Sequence, residues 1–411
     1  MLPGASPSTS AEIRTDQSAN NGSATRHPRL RRWIFVLLLA GPLLFALSWW
    51  RKVYWNNWYQ SSCKQAVEHQ QWDRLYDLSR AWTQFDPSQG DAWVFLSEAA
   101  HQRGEYQLAA EALGHLRDDY HGVLQGLALR AELQFNELQR PYDAVATWQR
   151  MLAINPHADL ARQRLIYFYS MTLQRDKLLE HILRGMELGC EPPEAYPFYI
   201  LVYDLNFSDG INVMRKWLES YPHDETFEVA LAIYIAKYTA DKTQALFGTS
   251  TITPGDQRPI RECFQKFPHN LEVRAYLLDV AIYDGNEEEV LQLIDELPPA
   301  ADRDPRFWRA RGWYLLQQDL HTEAEQALRA ALERHPADWK SWLLLSNVLR
   351  RLQKPEADRA AAIAAQGKEL QRALFELPNA KSWDRELGQA MYKYLREVAP
   401  PVVWQALARR L

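Results

Sequence analysis

The sequence predicts an all-α fold, a solenoid of stacked helix pairs preceded by a single transmembrane helix, and three observations predict it. Trp308 and Trp342 open successive segments of the same form, WRARGWYLLQQDLHTEAEQALRAALERHP and WLLLSNVLRRLQKPEADRAAAIAAQ, and the step between them sets a period. Two short helices in a unit of that length cannot bury their own apolar face. Copies must stack, and the product is extended surface instead of a closed catalytic pocket. Prolines that end second helices keep the same beat. The steps from Pro87 to Pro156, from Pro156 to Pro222 and from Pro268 to Pro336 are each close to two periods, whereas Pro222 to Pro268 exceeds one period and falls short of two. The third observation is Trp33 to Trp50, WIFVLLLAGPLLFALSWW, a run without a charge.

Residues 1–28 are rich in Ser, Thr, Ala, Asn, Pro and Gly and nearly free of large apolar side chains. Such a segment cannot offset the entropy of ordering, so a disordered tail is expected. Residues 29–55 hold the predicted membrane anchor and its flanks. At a helical rise of ~1.5 Å per residue the apolar run reaches about 27 Å, just short of a hydrocarbon core of roughly 30 Å. Trp49, Trp50, Tyr54, Trp55, Trp58 and Tyr59 extend it as an aromatic belt. Arg26, Arg29, Arg31 and Arg32 precede it and only Arg51 and Lys52 follow. That bias places the short tail in the cytoplasm and the repeats outside, and a single-pass place in a bacterial inner membrane is what resemblance to single-span bacterial proteins displaying such repeats implies. Two alternatives are a signal peptide cut after the small pair Ala46 and Ser48, and the inverted topology.

The units from residue 56 to 372 resemble tetratricopeptide repeats. Residues 90–123 carry the pattern in Trp93, Leu96, Ser97, Gly104, Tyr106, Ala109 and Leu113. Residues 305–338 carry it in Trp308, Gly312, Ala324, Leu328, Ala331 and Pro336, and residues 125–158 in Ala131, Ala144, Trp148 and Pro156. Fainter units run over 56–89, 159–190, 271–304 and 339–372. The resemblance implies a superhelix of antiparallel helix pairs whose small residues mark close crossings. Residues 191–270 depart from it. Pro197 falls where a first helix should be running, and 243–258 (TQALFGTSTITPGDQR) read as an irregular insertion loop, because Gly, Thr, Ser and Pro displace the apolar pattern there.

After the last unit, residues 373–411 form two amphipathic pieces, Ser382 to Val398 and Val402 to Leu411, read as capping helices. Trp383, Leu387, Met391, Tyr394 and Leu395 share one face, positioned to cover a terminal repeat. The competing reading makes Val402, Val403, Trp404, Leu407 and Leu411, with Arg409 and Arg410, a short helix lying against a membrane or partner.

No catalytic signature is present: no HExxH, GxSxG, phosphate loop or GxGxxG. No enzyme activity, cofactor or metal is therefore expected. His115 and His121 bracket Asp118 and Asp119, but two histidines at that spacing do not share a helix face. Cys63, Cys190 and Cys263 have no metal or redox spacing and read as free thiols. A net charge of -5 offers no broad positive field for nucleic acid.

The resemblance assigns function to the concave face, lined by positions 2, 5, 9, 12 and 13 of each first helix. In the last two units these positions include Arg306, Arg309, Trp313, Lys340, Asn347, Arg350 and Arg351. The groove is thus expected to turn basic toward its C-terminal end and to hold acidic protein or peptide segments, since guanidinium groups grip carboxylates bidentately. The functional expectation is a membrane-anchored, non-catalytic adaptor for protein partners, held in the lipid bilayer through Trp33 to Trp50. The alternative is an accessory subunit of an envelope polysaccharide synthesis or export complex.

Overall fold

The computed structural model describes residues 28–247, 257–295 and 297–411, with side chains described from Leu44 onward except over 240–256 and at 296. All but Pro28 of the disordered tail expected over 1–28, the side chains in the first part of the expected membrane span and most of the expected loop at 243–258 lie outside that description.

The chain divides into two units, Met1–Lys64 and Gln65–Leu411. The first is dominated by α1 (Pro28–Glu68), a continuous helix of 41 residues. From Leu44 on it carries an apolar and aromatic collar, with Leu44, Phe45, Leu47, Trp49 and Trp50 all more than half exposed. Trp50 stacks on Tyr54, and Trp55, Trp58 and Tyr59 meet edge to face. Among the described residues no helix is long and apolar enough to cross a membrane. Most of the span expected from Trp33 to Trp50 falls where side chains are not described.

The second unit consists of helices in antiparallel pairs, with no strand among the described residues. It starts with α2 (Trp72–Phe85). The pairs α3 (Gly90–Gln102) with α4 (Tyr106–Gly114), α5 (Val123–Glu132) with α6 (Pro141–Ile154) and α7 (Asp159–Met171) with α8 (Arg175–Leu188) follow. A π-helical turn, Leu133–Glu137, prolongs α5. The middle holds α9 (Ala195–Ile200), α10 (Gly210–Ser220), α11 (Glu225–Phe247) and α12 (Arg258–Lys266). Regular pairing resumes with α13 (Leu271–Asp284) and α14 (Glu287–Ile294), α15 (Pro305–Gln317) and α16 (His321–Arg334), and α17 (Trp339–Arg351) and α18 (Ala357–Phe375). The chain ends in α19 (Arg385–Val398) and α20 (Pro401–Ala408).

Two devices recur with the period. One residue in the left-handed region recurs in the turns, at Gln70 before α2 and inside the regular pairs at Gly104, Gln139 and Leu173, then Gly285, Asp319 and Gln353, at φ between 52 and 74°. The last three follow one another by the same step that separates Trp308 from Trp342, as do the first two. Only two of these seven are glycine, the residue that takes this conformation without a Cβ penalty. The second device is a latch. The fourth residue of a first helix donates to a backbone carbonyl in the loop from the previous pair. Trp93 Nε1 reaches Pro87 O at 2.9 Å, Trp308 Nε1 reaches Asp302 O at 3.0 Å and Trp342 Nε1 reaches Pro336 O at 2.8 Å. Arginine does the same from Arg162 to Pro156 and from Arg274 to Pro268. The periodic tryptophan thus satisfies a loop carbonyl that no helix serves, while its ring packs between turns.

The middle lacks this regularity. Pro197 is tolerated because α9 is short and Pro197 is its third residue, where a backbone N–H would have no intrahelical partner. A long turn over 201–209 then leads to α10. α11 runs on to Phe247 and so enters the segment expected to be loop. The aromatic packing here is dense: Trp217 lies 5.7 Å from Phe168 and 5.2 Å from Phe227, and Phe227 stacks on Tyr142.

The C-terminal helices fold back on the middle. Tyr394 donates to Ala337 O at 2.9 Å, Trp383 Nε1 to Pro193 O at 3.0 Å and Arg409 to Met186 O at 2.9 Å. Met391, Tyr394, Leu395, Val403, Ala406 and Leu407 are completely buried. The reading of Val402 to Leu411 as a helix free to meet a membrane is therefore incorrect. Its apolar face packs into the core, and Arg410 pairs with Glu191.

Candidate binding cavity

A cavity of ≈ 630 Å³ lies among the middle and C-terminal helices. Its wall is built from the start of α8 (Arg175), the turn after α9 (Tyr203, Asp204), α11 (Ile233, Lys237), α13 (Glu272, Tyr276, Asp279, Tyr283), α15 (Arg306, Arg309), α17 (Lys340, Leu343, Leu344) and the end of α18 (Phe375). Caps set the geometry of the later helices. Asp304 accepts from Arg306 N at 2.9 Å to start α15, and Asp338 accepts from Lys340 N at 3.2 Å and Ser341 Oγ at 2.6 Å to start α17. Each cap carboxylate then serves a second purpose in the wall.

The wall is strongly charged but internally neutralised. Glu272 receives Arg175 at 2.8 Å and Arg306 at 2.6 Å, and Arg306 also holds Asp304 at 2.6 Å. Arg309 bridges Asp279 and Asp338, each at 2.8 Å. Lys340 pairs with Asp204 at 2.6 Å, and Gln371 donates to the other Asp204 oxygen at 2.7 Å. Burial works against the charges of Glu272, Asp204, Asp338, Arg306, Arg309 and Lys340. Even so, the Arg175 and Arg306 guanidiniums hold Glu272 down to about 2, and the Lys340 ammonium holds Asp204 down to about 2. Arg306 and Arg309 are raised by their carboxylates against the same desolvation. Behind the wall, His335 is buried beside the rings of Tyr199 and Tyr203, and burial pushes it down to about 4.

Lys237 differs from the other four cations of this wall. Its ammonium donates to Leu205 O at 2.7 Å and forms no ion pair among the described residues. Burial, followed by the nearby Arg175 charge, pushes it down to about 8. The rim is apolar: Tyr283, Leu343 and Phe375 are 45%, 43% and 53% exposed. A second cavity of ≈ 700 Å³ adjoins, lined by Tyr167, Phe198, Leu205, Phe207 and Leu377 among others, and shares Asn206 and Phe375 with the first.

The residues proposed from sequence separate into three places. Arg306, Arg309 and Lys340 line the main cavity, but as members of closed ion pairs. The expectation of a free basic groove is wrong there, because Glu272 and Asp279 of the preceding pair and the caps Asp304 and Asp338 meet those arginines, and Asp204 meets Lys340. Trp313 is 9% exposed and belongs to the core. Asn347, Arg350 and Arg351 are exposed and line a separate ≈ 340 Å³ concavity with Leu316 and Gln317, where Arg350 reaches Asn347 Oδ1 at 3.5 Å. No group of histidines, cysteines and carboxylates able to hold a metal exists among the described residues. His115 stacks on Trp93 at 4.1 Å instead. The three cysteines are free, and burial raises the Cys63 thiol to about 12 and the Cys263 thiol to about 11.

No known family's sequence profile matches the chain, and no curated protein matches it in sequence. Solved structures do match. The chain is similar to tetratricopeptide repeat proteins. One is a tetratricopeptide repeat protein from Parabacteroides merdae, at 13% identity over 72% of this chain and 99% of that one, with a TM-score of 0.27. Yeast Tom70 gives 12% identity over 92% and 95% of the two chains and a TM-score of 0.28. The Cut9–Hcn1 hetero-tetramer of the APC/C gives 15% identity over 91% and 78%, with a TM-score of 0.32. The repeat itself is defined by this chain's own recurrence of left-handed turn and latch.

Sequence reasoning missed Arg175, Tyr203, Asp204, Lys237, Glu272, Asp279 and Tyr283. For three of them the signal was present. Glu272, Asp279 and Tyr283 occupy positions 2, 9 and 13 of the 271–304 unit, so reading the groove positions of that unit beside the next would have put a carboxylate against Arg306 and Arg309. Tyr203, Asp204 and Lys237 lie in the irregular middle, where no repeat register assigns a facing direction.

Proposed function

We propose that the chain is a non-catalytic adaptor that binds a protein segment in the main cavity. The observation that carries this reading is the rim. Tyr283, Leu343 and Phe375 leave an apolar surface open around a polar wall whose charges are mostly paired, a combination suited to burying apolar side chains of a partner. A membrane location for the same chain, with Trp33 to Trp50 as anchor, the tail in the cytoplasm and the repeats beyond the membrane, is supported by the exposed collar of α1 and by the arginines that precede it.

Site-specific photocrosslinking in living cells tests the binding reading. A benzophenone amino acid at Leu343 or Phe375 should give defined adducts that Tyr283→Asp removes, whereas the same group at Leu320, which is 45% exposed outside the cavity, should not. Equal adduct patterns from all three positions, or none from the rim, overturn it. Protease accessibility of the repeats in spheroplasts tests the location. Digestion from outside is expected, and protection until lysis inverts the topology.

A further inference from the structure

We propose that the cavity recognises an extended protein segment through an acidic side chain, an internal aspartate or glutamate that pairs with Lys237 while an adjacent bulky apolar residue settles against Tyr283, Leu343 and Phe375. This rests on the reading of the cavity as a protein-binding site and names what that site selects.

The first argument is charge. Five cations line the wall, and four have carboxylate partners at 2.6 to 2.8 Å. Lys237 has one neutral acceptor, the Leu205 carbonyl at 2.7 Å, which leaves two of its three donors for an incoming group. The carboxylates that face it are already engaged: Asp204 by Lys340 and Gln371, Asp279 by Arg309. The other charges around it, Arg175 from α8 and Lys340 from α17, add positive potential. An ammonium whose nearest carboxylates serve other cations has two donors unmatched, and an incoming carboxylate meets them with charge-assisted hydrogen bonds.

The second argument is shape. The two adjoining cavities share Asn206 and Phe375, and the carbonyl that holds Lys237 belongs to Leu205 in the lining of the second. The second cavity therefore begins beside the carbonyl that holds Lys237. Together the cavities exceed the ~300–1,000 Å³ of ordinary small-molecule sites. A chain that passes through presents a side chain at Lys237, where a chain terminus would leave one cavity unfilled.

The test is selection of random octapeptides displayed within a loop of a carrier protein, so that none has a free carboxyl terminus, on the full-length chain in detergent. Enriched sequences should place Asp or Glu beside Leu, Phe, Met or Trp. A selected octapeptide, synthesised with an amidated end, should bind at least tenfold more weakly to Lys237→Met and lose measurable binding to Leu343→Asp. Loss with Leu343→Asp but unchanged affinity for Lys237→Met overturns the acidic recognition and leaves the protein-binding reading standing. Indifference to Leu343→Asp overturns that reading itself. Binding that demands a free terminal carboxylate overturns the internal side chain. A pH titration on the unmutated chain keeps the test independent of how the variants fold. Affinity for the acidic peptide should fall several-fold between pH 7.5 and 9.5 as Lys237 loses its proton, with its Asn or Gln counterpart unaffected; parallel curves for the two overturn the proposal.

Discussion

The regular pairs and the irregular middle of the repeat unit obey different rules. From Gln70 to Leu188 and again from Leu271 to Gln353, each pair repeats the left-handed turn, and the first helices with Trp or Arg at their fourth position repeat the latch. Between Ala195 and Lys266 the latch does not occur among the described residues, and the left-handed residue found there, His223, falls off the period. Yet the middle supplies Tyr203, Asp204 and Lys237 to the cavity, and its contacts reach far along the chain, from Asp204 to both Lys340 and Gln371. Regularity builds a frame of nearest-neighbour contacts. The interruption sets Asp204 against Lys340 and Gln371 of the last pair, and the chemistry of the site is found there.

The largest expected effect separates these long-range ion pairs from ordinary surface ones. Glu272→Ala leaves Arg175 and Arg306, both with side chains 5% exposed, without their shared carboxylate. Removing one member of a buried charge network costs about 3–5 kcal/mol. Asp73→Ala breaks a pair with Arg103 in which the aspartate is 91% exposed, and should shift stability by no more than about 0.5 kcal/mol. Urea unfolding of the two variants measures both. Equal shifts would mean that the wall contributes no more to the frame than its surface does.

A pH effect is next in size. His335 is 2% exposed, its Nε2 has no hydrogen-bond partner, and its folded pKa is about 4 against 6.5 ordinarily. The unfolded chain therefore takes up a proton below pH 6.5 that the folded chain refuses until about pH 4. Stability associated with neutral His335 is complete above pH 6.5 and lost as pH falls toward 4, by about 3 kcal/mol at ~1.36 kcal/mol per unit. His335→Phe keeps a ring between Tyr199 and Tyr203 and should flatten that limb of the stability curve. Asp204 and Glu272, each held near 2, lose their contributions only below about pH 4, so the two limbs are separable. An unchanged slope between pH 6.5 and 4 in the variant would place the acid sensitivity elsewhere.

How much of this was legible in the sequence follows the same division. Trp308, Trp342 and the prolines announced the period because the latch and the loop it closes recur with it. Gly104 and Gly285 marked two of the left-handed turns, whereas Gln70, Gln139, Leu173, Asp319 and Gln353 hid the others. Arg306 and Arg309 read as free groove cations when charge is summed within a unit, because their partners Glu272 and Asp279 lie in the preceding one. Asp204 and Lys237 are beyond reach: Pro197 and the long turn after α9 erase the register, and Asp204 meets Lys340 from 136 positions away in sequence. The basic groove expected from the repeat positions is a neutralised wall with one exception.

The smallest expected effects, at Gly285 and Gln353, test whether the left-handed turn belongs to the frame alone, with the buried turn at Leu173 as their contrast. Gly285 sits at φ 69°, and a Cβ there would meet nothing within 4 Å, so Gly285→Ala measures backbone conformation without steric contact and should cost about 1 kcal/mol. Gln353 holds the same conformation two units later at φ 55° with its side chain exposed, so Gln353→Gly relieves strain and should stabilise by about 0.5 kcal/mol after the entropy glycine adds to the unfolded chain. Leu173 is strained equally at φ 56° but is 1% exposed. Leu173→Gly should therefore destabilise by about 2–5 kcal/mol, because the lost burial outweighs the relieved backbone. Shifts in urea midpoint at constant m-value measure all three. The signs matter more than the sizes: a gain at 353 with losses at 285 and 173 shows the turn acting as a local element of each pair, and peptide affinity at the cavity should not move with Gly285→Ala or Gln353→Gly, since neither lies in the lining that the irregular middle completes.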